Sequence, residues 1–253
     1  YKRLLKSRLC RVVGFQPQPD ALQSLNAAKS DLESYFPYTV GDGGEATLNV
    51  CRAGGMTSLL TPDQNRLAYF PKFSEWGRIV QKIPVLTRRL DDIREIESID
   101  FLKIDVQGSE LAVFKSGRSR LKEAVAVHTE VSFIPLYKDQ PLYGEIDLEM
   151  RALGFVPHAF AAINRRMIHP LVADDPFQAI NQLLEADVVY VRDFMQPEKI
   201  SSEQLKHLAI VAHFCYGSFD LAANCIHHLV RAKAVLENAS ELYLAELQKP
   251  EPL

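Results

Sequence analysis

The feature that most constrains the fold of this chain is the stretch 99–111, which reads Ile-Asp-Phe-Leu-Lys-Ile-Asp-Val-Gln-Gly-Ser-Glu-Leu. Its short apolar run over residues 101–104 predicts a buried strand, and the apolar spacing after the turn predicts a helix. The turn between them carries Asp105, Gln107 and Glu110. Open α/β sheets bind ligands at the carboxyl edge, in turns of this kind. The acids of this turn are therefore candidates for chemistry.

Strands and helices alternate along most of the chain. Apolar patterns predict strands over residues 10–15, 34–40, 45–51, 79–87, 101–104, 124–131, 155–162 and 187–191. This alternation predicts an α/β fold with a mostly parallel sheet and helices on both faces. The glycine-rich turn at 41–44 predicts a local antiparallel addition. We expect an α/β domain over residues 1–196 and a C-terminal helical tail over residues 197–253, where helical periodicity begins at Ser202.

Composition narrows the choice of partners and location. The formal net charge is -3, and lysine and arginine are spread along the chain, which argues against nucleic acid as a partner. No apolar run approaches the roughly 20 residues that span a bilayer, so no membrane contact is expected. The four cysteines are far apart, without a CxxC spacing, which is typical of reduced thiols. These observations predict a cytoplasmic protein.

Asp105 is the strongest candidate for a catalytic residue because it directly follows the predicted buried strand. A carboxylate at this place could orient a ligand hydroxyl or take its proton. The alternative is a structural carboxylate that caps the following helix. Glu110 lies further into that helix and is either a partner of Asp105 or itself a cap. Gln107 places a neutral side chain between them, and with few acids the turn is not expected to bind a metal ion.

His128 and Glu130 lie two residues apart on a predicted strand, so their side chains share one face of the sheet. At a carboxyl edge such a pair could act as a general base and its orienting partner. The alternative for His128 is a core histidine with a satisfied hydrogen bond. Tyr137 follows in the loop after this strand, where it could line an acceptor pocket.

Several segments, in this order, resemble the FkbM-like family of S-adenosylmethionine-dependent methyltransferases. They are residues 12–19 (Val-Val-Gly-Phe-Gln-Pro-Gln-Pro), 40–48, 87–93, 101–110 (Phe-Leu-Lys-Ile-Asp-Val-Gln-Gly-Ser-Glu) and 129–137. The resemblance covers roughly residues 10–194. It implies a Rossmann-like class I methyltransferase fold, S-adenosyl-L-methionine as the cofactor, and methyl transfer to a hydroxyl oxygen. The acceptor would be a small molecule, either a sugar or a secondary metabolite.

The resemblance also implies roles for individual residues. It places the cofactor at Gln16, Pro17, Val40, Asp42 and Asp105, with the ribose at Gln16 and the adenine near Val40 and Asp42. Asp42 has an alternative, because an aspartate beside glycine is also a common turn residue. For catalysis, the resemblance supports Asp105 and Glu130. His128 is a catalytic candidate from its place beside Glu130 on the strand, and Gln107, Glu110 and Tyr137 are candidates for substrate binding from their places in the turn, the helix and the loop.

This chain departs from the family pattern at three places. One is Gln107, which stands where the family usually has glutamate, so the turn carries one negative charge fewer. The family has a strand and a glycine-rich turn before the strand that ends at Gln16, whereas only residues 1–9 precede that strand here, so the domain is predicted to lack its first strand. Gln16 also stands where the family usually has glutamate. A charged hydrogen bond contributes about 1.5–3 kcal/mol and a neutral one about 0.5–1.5 kcal/mol, which predicts roughly tenfold weaker ribose binding.

These departures leave a second function open, a degenerate Rossmann-like domain that binds or assembles without catalysis. The apolar residues of the helical tail could then pack on a second copy, giving a homo-oligomer, or they could simply pack on their own sheet. A dinucleotide-dependent oxidoreductase is excluded as the main hypothesis because the sequence contains no G-x-G-x-x-G motif.

Overall fold

The computed structural model describes residues 1–175, 177–178 and 180–249. The strands are, in chain order, β1 (Val12–Phe15), β2 (Glu33–Phe36), β3 (Thr39–Gly41), β4 (Glu45–Cys51), β5 (Ile79–Arg89), β6 (Phe101–Ile104), β7 (Ala126–Ser132), β8 (Phe155–Arg166) and β9 (Gln182–Arg192). The α-helices are α1 (Lys2–Lys6), α2 (Pro19–Ala28), α3 (Gln64–Leu67), α4 (Phe73–Trp76), α5 (Glu110–Ser116), α6 (Arg118–Leu121), α7 (Tyr143–Ala152), α8 (Ser202–Val211), α9 (Phe219–Arg231) and α10 (Ala239–Leu247).

The described strands form three sheets. β1 and β2 make a parallel pair, and β3, β5 and β4 lie side by side in that order. The largest sheet has four strands in the order β6, β7, β9, β8. In this sheet β6 and β7 are parallel, so both end at the edge where Asp105 follows β6. This edge carries the candidate site.

The sheets are mixed, which corrects the prediction of a mostly parallel arrangement. The pairings β1–β2, β3–β5 and β6–β7 are parallel, whereas β4–β5, β7–β9 and β8–β9 are antiparallel. An antiparallel neighbour needs no crossover helix, and β8 and β9 follow each other directly in this way. The antiparallel addition predicted near residues 41–51 is present, with β5 as the partner of β4.

Proline accounts for a second difference from the predicted elements. The apolar run 34–40 forms two strands, β2 and β3, which belong to different sheets. Pro37 lies between them, and a proline has no N–H to donate to a strand ladder. β3 consequently does not continue the sheet of β2 and pairs with β5 instead.

Helices cover both faces of the four-stranded sheet. Val127 and Tyr190 belong to the apolar core on the face of α5 and α7. Their sequence neighbours Ala126 and Val191 point the other way, into a second core. α8 and α9 fill that second core, with side chains such as Leu208 and Cys225. The helical tail therefore packs on its own sheet, as the alternation of strand side chains allows.

Among the described residues, no helix combines the length and the apolar character that crossing a membrane requires.

Candidate active site

The turn after β6 has an unusual backbone. Gln107 has a φ of 54° and Gly108 a φ of 99°, both in the left-handed region. A Cβ atom at position 108 would lie 3.0 Å from Leu60 and 3.2 Å from Gln140, so glycine also leaves room for these neighbours. The chain can therefore reverse tightly between β6 and α5, with Asp105 and Gln107 at the sheet edge.

Glu110 holds this turn from inside. Its carboxylate accepts hydrogen bonds from the main-chain N–H groups of Val106 (2.8 Å) and Gly108 (3.0 Å). The side chain is buried, and burial raises the pKa of Glu110 to about 7, while the backbone hydrogen bonds oppose that rise. Glu110 was predicted to bind substrate or to act as a cap, and the structure gives it the contacts of a cap.

Gln107 connects two carboxylates. Its side-chain Nε2 donates to Oδ1 of Asp105 at 2.7 Å and to Oε2 of Glu130 at 3.0 Å. Its Oε1 lies 3.2 Å from the hydroxyl of Tyr137, which donates to it. The structure thus brings together four of the predicted site residues, Asp105, Gln107, Glu130 and Tyr137, in one hydrogen-bonded group.

Glu130 is the member of this group with the most acidic side chains around it. It is largely buried on β7, and its pKa is raised to about 9, first of all by desolvation. The neighbouring carboxylates of Glu185, Asp105, Glu110 and Asp187 contribute to the same rise, because like charges disfavour ionisation. Glu130 therefore carries a proton at neutral pH and can donate a hydrogen bond to a ligand oxygen.

His128 shares the face of Glu130 but has other partners. Its Nδ1 lies 3.0 Å from the hydroxyl of Tyr216, and its Nε2 accepts from Nζ of Lys103 at 3.3 Å. Burial and the Lys103 charge lower the pKa of His128, while Asp187, whose Oδ1 lies 3.6 Å from Nε2, opposes that shift. These contacts match the alternative of a histidine whose hydrogen-bonding atoms already have partners. Those partners are not members of the hydrogen-bonded group around Gln107.

A cavity of about 450 Å³ lies beside this group, between the loop after β7 and the loop before α3. Tyr137 lines the cavity and also donates to Oε1 of Gln107, so it is the residue that links the cavity with this group. The cavity carries charge of both signs, from Arg66 and Lys138 and from Asp63 and Asp139. It offers a volume suited to a small polar ligand.

The predicted cofactor residues Gln16 and Pro17 follow β1, in the two-stranded sheet. Oε1 of Gln16 accepts from the main-chain N–H of Gln18 at 3.0 Å. Three aromatic rings cluster next to this position. They belong to Phe15, Phe36 and Tyr38, with ring centroids 5.6–6.5 Å apart. The structure therefore places an amide side chain beside an aromatic cluster.

Val40 and Asp42 lie in and just after β3, in another sheet. Val40 packs against the apolar core. Oδ1 of Asp42 accepts hydrogen bonds from the N–H of Gly44 (2.9 Å) and the hydroxyl of Thr87 (3.2 Å). The backbone hydrogen bond lowers the pKa of Asp42. These are the contacts of a turn aspartate, the alternative to a role at the adenine.

Oxygens of Asp105, Glu110 and Glu130 lie within 4.8 Å of one another, a spacing that a metal ion could use. However, the amide hydrogens of Gln107 point at two of these three carboxylates, and a cation there would face those donors. Both oxygens of Glu110 already accept backbone hydrogen bonds. We therefore assign no metal ion to this group.

Sequence reasoning missed three residues that border the site. Glu185 and Asp187 lie on β9, with Asp187 directly opposite Glu130. Two acids spaced by two residues in an otherwise apolar strand were a detectable signal, because such residues share one face. Tyr216 comes from the helical tail, and its contact with His128 joins residues 88 positions apart, which no local pattern reveals.

The fold and the site define an α/β protein with several hydrogen-bonded carboxylate side chains at the carboxyl edge of its main sheet. A family model described as the methyltransferase FkbM domain matches residues 2–157, so the chain belongs to the FkbM methyltransferase domain family. This match confirms the resemblance seen in the sequence, and all five motif segments fall inside it. The match ends at residue 157, so the resemblance expected over residues 158–194 lies outside it, as do most of β8, all of β9 and the helical tail.

The chain is also similar to a curated protein, the 2-O-methyltransferase NoeI of Sinorhizobium fredii (strain NBRC 101917 / NGR234). The two are 41% identical over 78 residues, which is 29% of this chain and 32% of that protein. The aligned part thus spans about a third of the relative's length. No solved structure matches the chain at a significant level.

Proposed function

We propose that this protein transfers a methyl group from S-adenosyl-L-methionine to a hydroxyl oxygen of a sugar or a secondary metabolite, on a Rossmann-like class I scaffold. The observation that carries the proposal is the pair Asp105 and Glu130, bridged by Gln107 at the sheet edge. Membership of the methyltransferase family supports methyl transfer, and the similarity to an O-methyltransferase supports an oxygen acceptor.

The residues after β1 fit part of the cofactor. With Oε1 of Gln16 bonded to the backbone, its amide NH2 group is free to donate to a ribose hydroxyl, as far as the described contacts go. The aromatic cluster of Phe15, Phe36 and Tyr38 suits the flat adenine ring. The cofactor supplies a methyl group bonded to a positively charged sulfur. Gln16 and Pro17 would hold its ribose, and Val40 would pack near its base.

The hydrogen-bonded residues Asp105, Gln107 and Glu130 would orient the acceptor. Oδ1 of Asp105 accepts from Gln107, so Oδ2 is the atom that can hold the proton of the acceptor hydroxyl. The protonated Glu130 would donate a hydrogen bond to a second acceptor oxygen. Two such contacts fix the hydroxyl in one orientation, and orientation is a large part of what a bimolecular transfer requires.

The acceptor would enter through the cavity that Tyr137 lines. Its mixture of charged and aromatic side chains suits a polyhydroxylated molecule, since sugars present both donors and acceptors. The proposal thereby makes Tyr137 a substrate contact through its ring. Asp105 and Glu130 would then contact the end of the same molecule that carries the reacting hydroxyl.

A panel of hexoses, deoxyhexoses and hydroxylated aromatics, incubated with the protein and radiolabelled S-adenosylmethionine, tests the proposal directly. We expect labelled product, and we expect Asp105→Asn to lower kcat by about 10²–10⁴-fold, the usual contribution of a positioned base. The affinity for S-adenosylhomocysteine, measured by calorimetry, should change by less than about tenfold. The exposed Asp174→Asn is the matched control and should behave as wild type.

Two other results would redirect the proposal. Loss of cofactor binding with kcat preserved at saturation would make Asp105 a cofactor contact. An absence of any S-adenosylhomocysteine binding would favour the non-catalytic binding domain, which the neutral Gln16 already suggests as the second candidate.

A further inference from the structure

The side chain of Gln107 uses all of its polar atoms within the protein. The two hydrogens on Nε2 go to Asp105 and Glu130, at 2.7 and 3.0 Å. Oε1 accepts from the hydroxyl of Tyr137. A primary amide has two N–H donors, so no donor remains for a substrate in this arrangement. The contacts of Gln107 are therefore those of a residue that holds the two carboxyl groups in place.

The backbone at Gln107 is fixed as firmly as the side chain. Its φ of 54° lies in a region that non-glycine residues seldom adopt. Its carbonyl accepts a 2.6 Å hydrogen bond from the hydroxyl of Ser58, which lies in the segment between β4 and α3. Strained backbone persists where its surroundings hold it, and such positions cluster at functional sites. The backbone at Gln107 thus fixes the position from which the side-chain amide reaches the two carboxyl groups.

We infer that Gln107 is a positioning residue, whose neutral amide holds Asp105 and Glu130 side by side by donating one hydrogen to each. This inference rests on the proposed methyl transfer, because those two carboxyl groups are the ones assigned to the acceptor. Two acids at this distance repel each other when both are ionised. An amide between them donates to both and adds no charge, whereas a glutamate would remove both donors and add a negative charge beside Asp105.

Other charged and titratable groups surround this pair, and any pH effect includes them. They are Lys103 from β6, Glu110 from α5, His128 from β7, Arg166 from β8, Glu185 and Asp187 from β9, Tyr137 from the loop after β7 and Tyr216 from the helical tail. All of them are retained in the variants of Gln107 below, so a change in titration reports on position 107.

The test compares wild type with Gln107→Glu and Gln107→Met. Titration of the Asp105 and Glu130 carboxyl carbons by NMR does not depend on activity. We expect Gln107→Glu to move the Glu130 midpoint upward by at least about one pH unit, and Gln107→Met to move it in the same direction by less. With acceptor present, kcat should fall at least about tenfold in Gln107→Met, which removes both donors, while KM for the cofactor stays within about twofold.

Two further variants sharpen the result. Tyr137→Phe removes the hydroxyl that holds Oε1 of Gln107, and it should shift the Glu130 midpoint in the same direction even if Gln107→Glu does not fold. Gln81→Glu makes the same chemical change at an exposed position of β5 and should shift neither the titration nor kcat. Thermal melting confirms that each variant is folded.

Unchanged carboxyl titrations in folded Gln107→Glu and Gln107→Met would overturn the inference. A rise in acceptor KM at constant kcat would also overturn it and would make Gln107 a direct substrate contact. If the wild-type protein transfers no methyl group, the proposed function fails, and the NMR titration still decides whether the amide positions the two carboxyl groups.

Discussion

Glu110 is the residue on which the geometry of the whole turn depends. Only 3% of it is exposed, and its carboxylate takes the N–H groups of Val106 and Gly108, which have left the strand ladder and not yet entered a helix. A buried N–H without an acceptor costs about 1–3 kcal/mol. The turn that carries Asp105 is therefore held by a residue that is itself buried.

Glu110→Ala should accordingly destabilise the protein by about 3 kcal/mol, because two buried donors lose their acceptor while the cost of burying the carboxyl is relieved. At about 2–4 °C per kcal/mol, Tm should fall by roughly 6–12 °C in a calorimetric scan. The exposed Glu97→Ala is the control and should stay within about 0.5 kcal/mol of wild type. Equal Tm values for the two variants would show that Glu110 does not support the turn.

Glu130 makes stability depend on pH. Its folded pKa of about 9 is above the ordinary value, so the folded state keeps a proton that the unfolded state releases. The stability associated with Glu130 is therefore fully present below the unfolded pKa and is lost as pH rises toward about 9. Glu130→Gln cannot ionise and escapes this loss.

The Tm of Glu130→Gln minus that of wild type should thus increase steadily between pH 5 and pH 9, by several degrees in total. Exposed Glu237→Gln should give a flat difference over the same range. Parallel pH profiles for Glu130→Gln and wild type would contradict the buried, proton-retaining state of Glu130. The same scan in the presence of ligand would report whether the ligand changes that protonation.

At the scale of elements, apolar patterning predicted most strands and helices but not their partners. β6 and α5 were predictable because a short buried strand and an amphipathic helix have different periods. β8 and β9 extend beyond their apolar parts as an antiparallel pair, because the hydrogen bonds between them continue where the side chains become polar. Pairing depends on contacts distant in sequence, which local patterns do not contain.

The same limit applied to the candidate site. Asp105, Gln107 and Glu130 were identified because they lie at strand ends, in a turn or on an alternating face. Their mutual hydrogen bonds depend on the left-handed backbone at Gln107, for which the sequence gives no signal. Arg192 illustrates the point elsewhere, since its buried guanidinium donates to carbonyl groups at the ends of several elements, and only the assembled fold brings those carbonyls together.

At the scale of the whole molecule, the helical tail is part of the main core. Leu208 of α8 is fully buried in the cluster that also contains Val189 and Val191 of β9. β9 in turn lies between β7 and β8, at the centre of the main sheet. A tail that shares a core with the central strand should unfold together with the rest of the domain.

The single tryptophan tests this coupling, because Trp76 lies in a different apolar cluster, packed on Phe73. Leu208→Ala should cost about 2–5 kcal/mol and lower the Tm seen by Trp76 fluorescence and by far-UV circular dichroism by the same amount. Leu236→Ala, at a tail position that is 71% exposed, is the control and should leave both transitions in place. A Leu208→Ala variant whose Trp76 transition is unshifted would mean that the tail unfolds on its own, as a separate domain over residues 197–253 would.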